Sequence, residues 1–115
     1  MKTCELTGAA LDWAVAKCEE PCGGYKAWVQ ANLERGIVPA GSQYSTDWLV
    51  GGPIIEQEAI QLTPDEYTST WTAYTTMEGE PFEFTGPTPL IAAMRCYVAS
   101  WLGDEIEIPD ALKGD

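Results

Sequence analysis

Between Gly86 and Gly103 the chain reads Gly-Pro-Thr-Pro-Leu-Ile-Ala-Ala-Met-Arg-Cys-Tyr-Val-Ala-Ser-Trp-Leu-Gly, a helix with both of its ends spelled out. Thr88 is a natural N-cap, because its hydroxyl can accept from a backbone N–H that the first turn leaves unpaired. Pro89 suits the first helical position, where no N–H is needed. Gly103 stands where a residue of positive φ closes a helix. Arg95 is the only charged side chain between these ends. A helix that apolar is covered on most sides. Ile91, Met94, Val98 and Leu102 form one stripe, while Ala92, Ala93, Cys96 and Ala99 allow close packing on the others.

The rest of the chain must supply that cover. Leu6 to Glu19 reads as a first helix capped by Thr7, with Leu6 and Leu11 at the positions of a hydrophobic staple. Glu20-Pro21-Cys22-Gly23-Gly24 ends it. Tyr25 to Arg35 has a second helical face, closed by Gly36, and Pro39 to Gln43 is a loop. Ser45 or Thr46 caps a further helix toward Ala59. Pro53, after Gly51-Gly52, removes a hydrogen bond there, so a kink or a pair of short helices is expected. Gly51 and Gly52 leave room for another backbone.

Strands follow. Ile60 to Leu62 alternates briefly. Tyr67 to Thr76 is rich in Thr, Tyr and Trp, with Tyr67, Trp71 and Ala73 on one face. Met77 to Glu80 is a turn, and Phe82 and Phe84 alternate with Glu83 in the returning strand. A lone hairpin needs a third strand or a helix, and Leu62 and the final helix are placed to provide it. Ile106 and Ile108, alternating with acids, suit a short strand or an extended tail. The expectation is one α+β domain over residues 1–115. A small antiparallel hairpin-based sheet is covered by helices, and the long C-terminal helix lies in the core.

Charge narrows the function. The chain has 18 acidic and 6 basic residues, a net charge of −12. No Lys or Arg occurs between Gly36 and Met94. Such a surface repels nucleic acid and anionic membrane, so direct binding to either is not expected. No stretch is long and apolar enough to span a bilayer. The first residues lack the apolar core of a signal peptide. A cytosolic protein is expected.

The chemical inventory is thin. The chain has no histidine, which removes the commonest general base, and no nucleotide-binding loop. No enzyme activity and no cofactor are expected. Cys18 and Cys22 are spaced like half of a zinc knuckle, but no second close pair completes one, and no metal site is expected. Cys96, among alanines, reads as a small buried side chain. Two helix starts, at Thr46 and Thr88, expose N–H groups that could meet an anion. With Tyr44, Trp48, Trp71 and Arg95 they would outline a small-ligand pocket. The plainer reading of both threonines is capping, and of Arg95 an ion pair with a carboxylate. Five tryptophans cannot all be central in so short a chain. Trp28 and Trp48, beside segments of irregular composition, are the candidates for a protein-binding patch.

Three stretches carry a resemblance: Thr3 to Cys18, Ser45 to Glu56, and Gly86 to Val98 followed by Leu102-Gly103-Asp104. Together they resemble the NinX family of lambdoid phages. In order and spacing they are also similar, more weakly, to the phage alpha-beta-alpha sandwich domain. Glu19 to Gln43 departs from the pattern. The resemblance implies a phage-encoded accessory protein acting in the cytoplasm of the infected bacterium, and it implies no reaction. The expected role is binding a host or antiviral-defence protein. The alternatives are sequestering a nucleotide-like signal, or mimicking nucleic acid with an acidic surface.

Overall fold

The computed structural model describes residues 2–19, 33, 35, 43–109 and 112. The helix read over Tyr25 to Arg35 lies almost wholly outside them, as do Cys22 and Trp28. Among the described residues the order of elements is a 3-10 turn (Thr3–Glu5), α1 (Gly8–Cys18), α2 (Trp48–Gln57), β1 (Gln61–Asp65), β2 (Thr70–Met77), β3 (Glu80–Gly86) and α3 (Pro89–Leu102). The sheet is antiparallel in the order β1-β2-β3. The fold is α+β, with α3 at its centre.

The position of α3 explains its composition. One side packs on β2 and β3, and other sides meet α1 and α2. Every residue from Ala92 to Ala99 is buried as a result. A helix covered from two directions has no face left for polar residues. The ends are as expected: the Thr88 hydroxyl accepts from Ile91 N–H at 3.2 Å, and Gly103 has φ 91°. The expected stripe is corrected at its far end. Met94 and Val98 are fully buried, but Leu102 is 40% exposed because the last turn runs out of the core.

The sheet face toward α3 carries Leu62, Trp71, Ala73, Phe82 and Phe84, all buried or packed on the core. Tyr67 is not on that face. It lies in the β1–β2 turn, 99% exposed. Asp65 causes this by accepting from Tyr67 N–H at 2.9 Å and Thr68 N–H at 3.4 Å, which bends the chain before β2 can start. Glu78 and Gly79 both have positive φ, 53° and 83°, so the two-residue turn between Met77 and Glu80 twists with its strands. Among the described residues of the tail, Glu105 forms an isolated antiparallel bridge with Lys2.

Two helix starts differ from expectation. Thr7 stands at the N-cap of α1, but its side chain makes no capping bond. Gly8, at φ 54°, opens the helix irregularly instead. At α2 the cap is Asp47, which accepts from Leu49 N–H at 3.0 Å, and neither Ser45 nor Thr46 takes that role. Ser45 is held elsewhere: its N–H donates to the buried Asp12 carboxylate at 2.8 Å. One helix runs from Trp48 to Gln57 with Pro53 inside it, so of the two expected arrangements the pair of short helices does not form.

Gly51 is where α2 meets α3. A Cβ there would run into the Tyr44 carbonyl oxygen and come within 2.7 Å of Leu90 Cδ2. Gly51→Ala is expected to destabilise by on the order of 1–3 kcal/mol, the usual cost of overpacking, whereas Gly52→Ala meets nothing closer than 3.8 Å. Paired urea melts check this. Equal midpoints for the two variants would refute the close approach.

Candidate functional site

Arg95 comes from the middle of α3 and is 9% exposed. Its Nε donates to the Leu6 carbonyl and its Nη1 to the Thr85 carbonyl, each at 2.8 Å. The expected carboxylate partner is replaced by two backbone acceptors. Burial pulls its pKa below the ordinary value, and the nearby Cys4 acts in the opposite sense. The guanidinium ties the N-terminal segment to β3 through its Nε and Nη1 donors.

The other residues expected around it divide into two groups. Thr88 spends its hydroxyl on capping. The Tyr44 carbonyl meets Gly51, beside Leu90 of the first turn of α3. Trp71 lies opposite Gly86, which itself packs against Ala92. Tyr44, Trp71, Thr88 and Arg95 thus gather around the first two turns of α3. Thr46 is exposed in the turn before α2, and Trp48 starts that helix.

Two clefts formed by described residues lie elsewhere. One of about 460 Å³ is lined by Lys2, Cys4, Phe84, Asp104 and Glu105. The other, about 340 Å³, surrounds the β1–β2 turn from Thr63 to Tyr67 and Thr72. A third feature is electrostatic. The Tyr97 hydroxyl donates to Glu19 Oε2 at 3.1 Å. Burial pushes the Cys18 thiol up to about 12, with Glu19 and Glu58 adding repulsion. Tyr97 is raised by burial and by the same neighbours.

Apart from Tyr67, the exposed large apolar side chains do not line these two clefts. Trp48 is 53% exposed and Leu49 81%, adjacent on the first turn of α2. Trp101, 54% exposed, and Leu102 end α3. Trp13 and Trp71 serve the core: Trp13 is buried with its indole N–H donating to the Leu33 carbonyl. Sequence reasoning missed Trp101 by treating α3 as covered along its whole length. The signal available was its place next to the closing Gly103 and the acids Asp104 and Glu105.

The model of the NinX family of bacteriophage P22 matches residues 2–101. The chain belongs to the NinX family of phages. No curated protein matches it significantly. NinX membership places it among phage accessory proteins, and the geometry accounts for the three stretches that carried the resemblance. They meet one another. Leu6 of the first accepts from Arg95 of the third. Asp12 of the first accepts from Ser45 of the second. Gly51 of the second packs on Leu90 of the third. These residues of the NinX pattern join elements of the fold.

Proposed function

We propose that this NinX-family protein works by binding a host or antiviral-defence protein in the cytoplasm of the infected bacterium, with Trp48 and Leu49 at the centre of the contact. The observation behind this is the exposure of two large apolar side chains side by side on a rigidly held helix start. Asp47 caps that turn and Gly51 locks it against α3. Exposed aromatic residues on fixed backbone are what protein interfaces use as anchors. The net charge of −12 favours a partner surface that is neutral or basic around its apolar centre. Sequestering a nucleotide-like signal is the weaker reading, since Arg95 directs its Nε and Nη1 donors to carbonyls and, among the described residues, the 460 Å³ cleft offers Lys2 as its one cation.

The test is capture from infected-cell lysate with the wild type and with Trp48→Ala/Leu49→Asp. The expected result is a saturable partner retained by the wild type and lost at least about tenfold in the double variant, as for a hot-spot pair. Both side chains are exposed, so the variant's thermal midpoint should stay within a few degrees of the wild type. Equal capture by both proteins would remove Trp48 and Leu49 from the interface.

A further inference from the structure

The three-stranded sheet has two edges, and they are not equivalent. β1 carries Pro64, which has no N–H for a further strand. On β3 the hairpin register decides which groups face outward. In a two-residue hairpin the pair flanking the turn exchanges hydrogen bonds, and so does every second pair after it. Starting from Met77 opposite Glu80, the bonded pairs include Thr75 with Phe82 and Ala73 with Phe84. The backbone groups of Pro81, Glu83 and Thr85 therefore point away from β2. Pro81, which could not have donated inward, occupies one of these positions. The Thr85 carbonyl is taken by Arg95. The N–H and C=O of Glu83 and the N–H of Thr85 have no partner among the described residues.

The cleft of about 460 Å³ opens beside this edge, walled by Phe84 of β3, by Lys2 and Cys4 of the N-terminal segment, and by Asp104 and Glu105 after α3. Its volume lies in the range of small-ligand and anchor sites. Glu83, Asp104 and Glu105, all exposed, set three carboxylates along the edge against the one ammonium of Lys2.

We propose that the edge of β3, open among the described residues, takes up an extended, basic segment of a partner protein as a fourth strand, with one apolar side chain of that segment seated against Phe84. Main-chain bonds to Glu83 and Thr85 supply the attachment, the cleft selects the side chain, and the carboxylates select lysine or arginine beside it. The proposal rests on the reading of the protein as a partner binder, but it uses a surface to which Trp48 and Leu49 do not belong. The opposite reading is that Pro81 and Glu83 simply protect an edge from unwanted pairing.

The two are separated by titrating the full ¹⁵N-labelled chain with a synthetic octapeptide of alternating lysine and valine. Two further peptides carry N-methyl groups on all the lysines or on all the valines. Successive residues of a strand donate to opposite sides, so only one methylated series blocks the bonds to β3. The expected result is saturable shifts of the Cys4, Glu83, Phe84 and Thr85 amides with a Kd below about 1 mM. One methylated peptide should bind at least about tenfold more weakly and the other unchanged. A glutamate–valine octapeptide should give no shifts. No binding at millimolar peptide, or equal binding of all three lysine peptides, overturns the strand-addition proposal. Shifts confined to Trp48 and Leu49 overturn it too, while leaving the aromatic contact standing. Equal binding of the glutamate peptide overturns the basic specificity.

Discussion

Replacing Arg95 with alanine is expected to destabilise the protein by on the order of 3–5 kcal/mol. The side chain gives two charge-assisted bonds to carbonyls, and its removal leaves the acceptors of Leu6 and Thr85 without it. Each lost bond to a charged group is worth roughly 1.5–3 kcal/mol. Burying a guanidinium carries a desolvation cost that its loss would return, which keeps the total below the sum of the two bonds. Arg95→Lys should fall between, because an ammonium cannot present the planar fork that reaches both carbonyls. Equilibrium urea unfolding gives the values. Amide exchange should show the loss concentrated in the N-terminal segment and in β3, the two elements that the guanidinium ties together. A loss under about 1 kcal/mol, within the range of surface substitutions, would show that the two carbonyls are held by something else.

Stability should collapse in moderate alkali, well before the backbone itself is affected. Burial raises the thiol of Cys18 from 9.0 to about 12 and that of Cys96 to about 11. For Cys96 the hydrogen bond to the Phe82 carbonyl at 3.4 Å also uses the proton. Tyr97 is raised for the same first cause, burial, with Glu19, Cys18 and Glu58 adding to it. In each case the folded protein keeps a proton that the unfolded chain releases. The contribution to stability is therefore complete below pH 9, declines as the pH rises above that value, and is gone once the pH has passed the folded-state pKa. Each thiol loses at most about 1.4 kcal/mol per pH unit in that window, so the loss by pH 11 is on the order of a few kcal/mol. Urea melts at pH 8, 9, 10 and 11 should show the decline. Cys18→Ala should reduce its slope by about half between pH 9 and 10, before the Tyr97 phenol adds its own contribution. A flat profile across this range would mean that neither thiol is buried as the structure places it.

The elements most legible in the sequence are those whose signals are short-ranged. α3 could be read with both ends because Thr88, Pro89 and Gly103 act on backbone groups within one turn of themselves. The β2–β3 turn was legible for the same reason, since Glu78-Gly79 needs only the local backbone to define it. Family membership was also readable, from three stretches far apart in the chain. The contacts among them, Leu6 with Arg95, Asp12 with Ser45 and Gly51 with Leu90, had no local trace.

Where several local solutions lie close in energy, tertiary contacts chose between them. Ser45, Thr46 and Asp47 can all cap a helix, and their preferences differ by little. The choice fell to Asp47 because Ser45 is drawn to a buried carboxylate on α1, more than thirty positions earlier. Tyr67 fits a strand by propensity, but the side chain of Asp65 turns the chain there first. Arg95 shows the limit most plainly. The sequence by itself determined that one cation would sit in an apolar helix and would need partners. Only the fold decided that these would be the carbonyls of Leu6 and Thr85. Backbone acceptors are present at every residue and carry no mark in the sequence, so their availability depends on which strand edge and which turn come to lie beside the guanidinium. The candidate surfaces follow the same division. Composition determined that some tryptophans would remain in solvent and that partners would meet an acidic protein. That Trp48 stays in solvent, and that Glu83 and Thr85 turn their backbone N–H groups away from β2, was settled by the packing of α2 on α3 and by the register of the sheet.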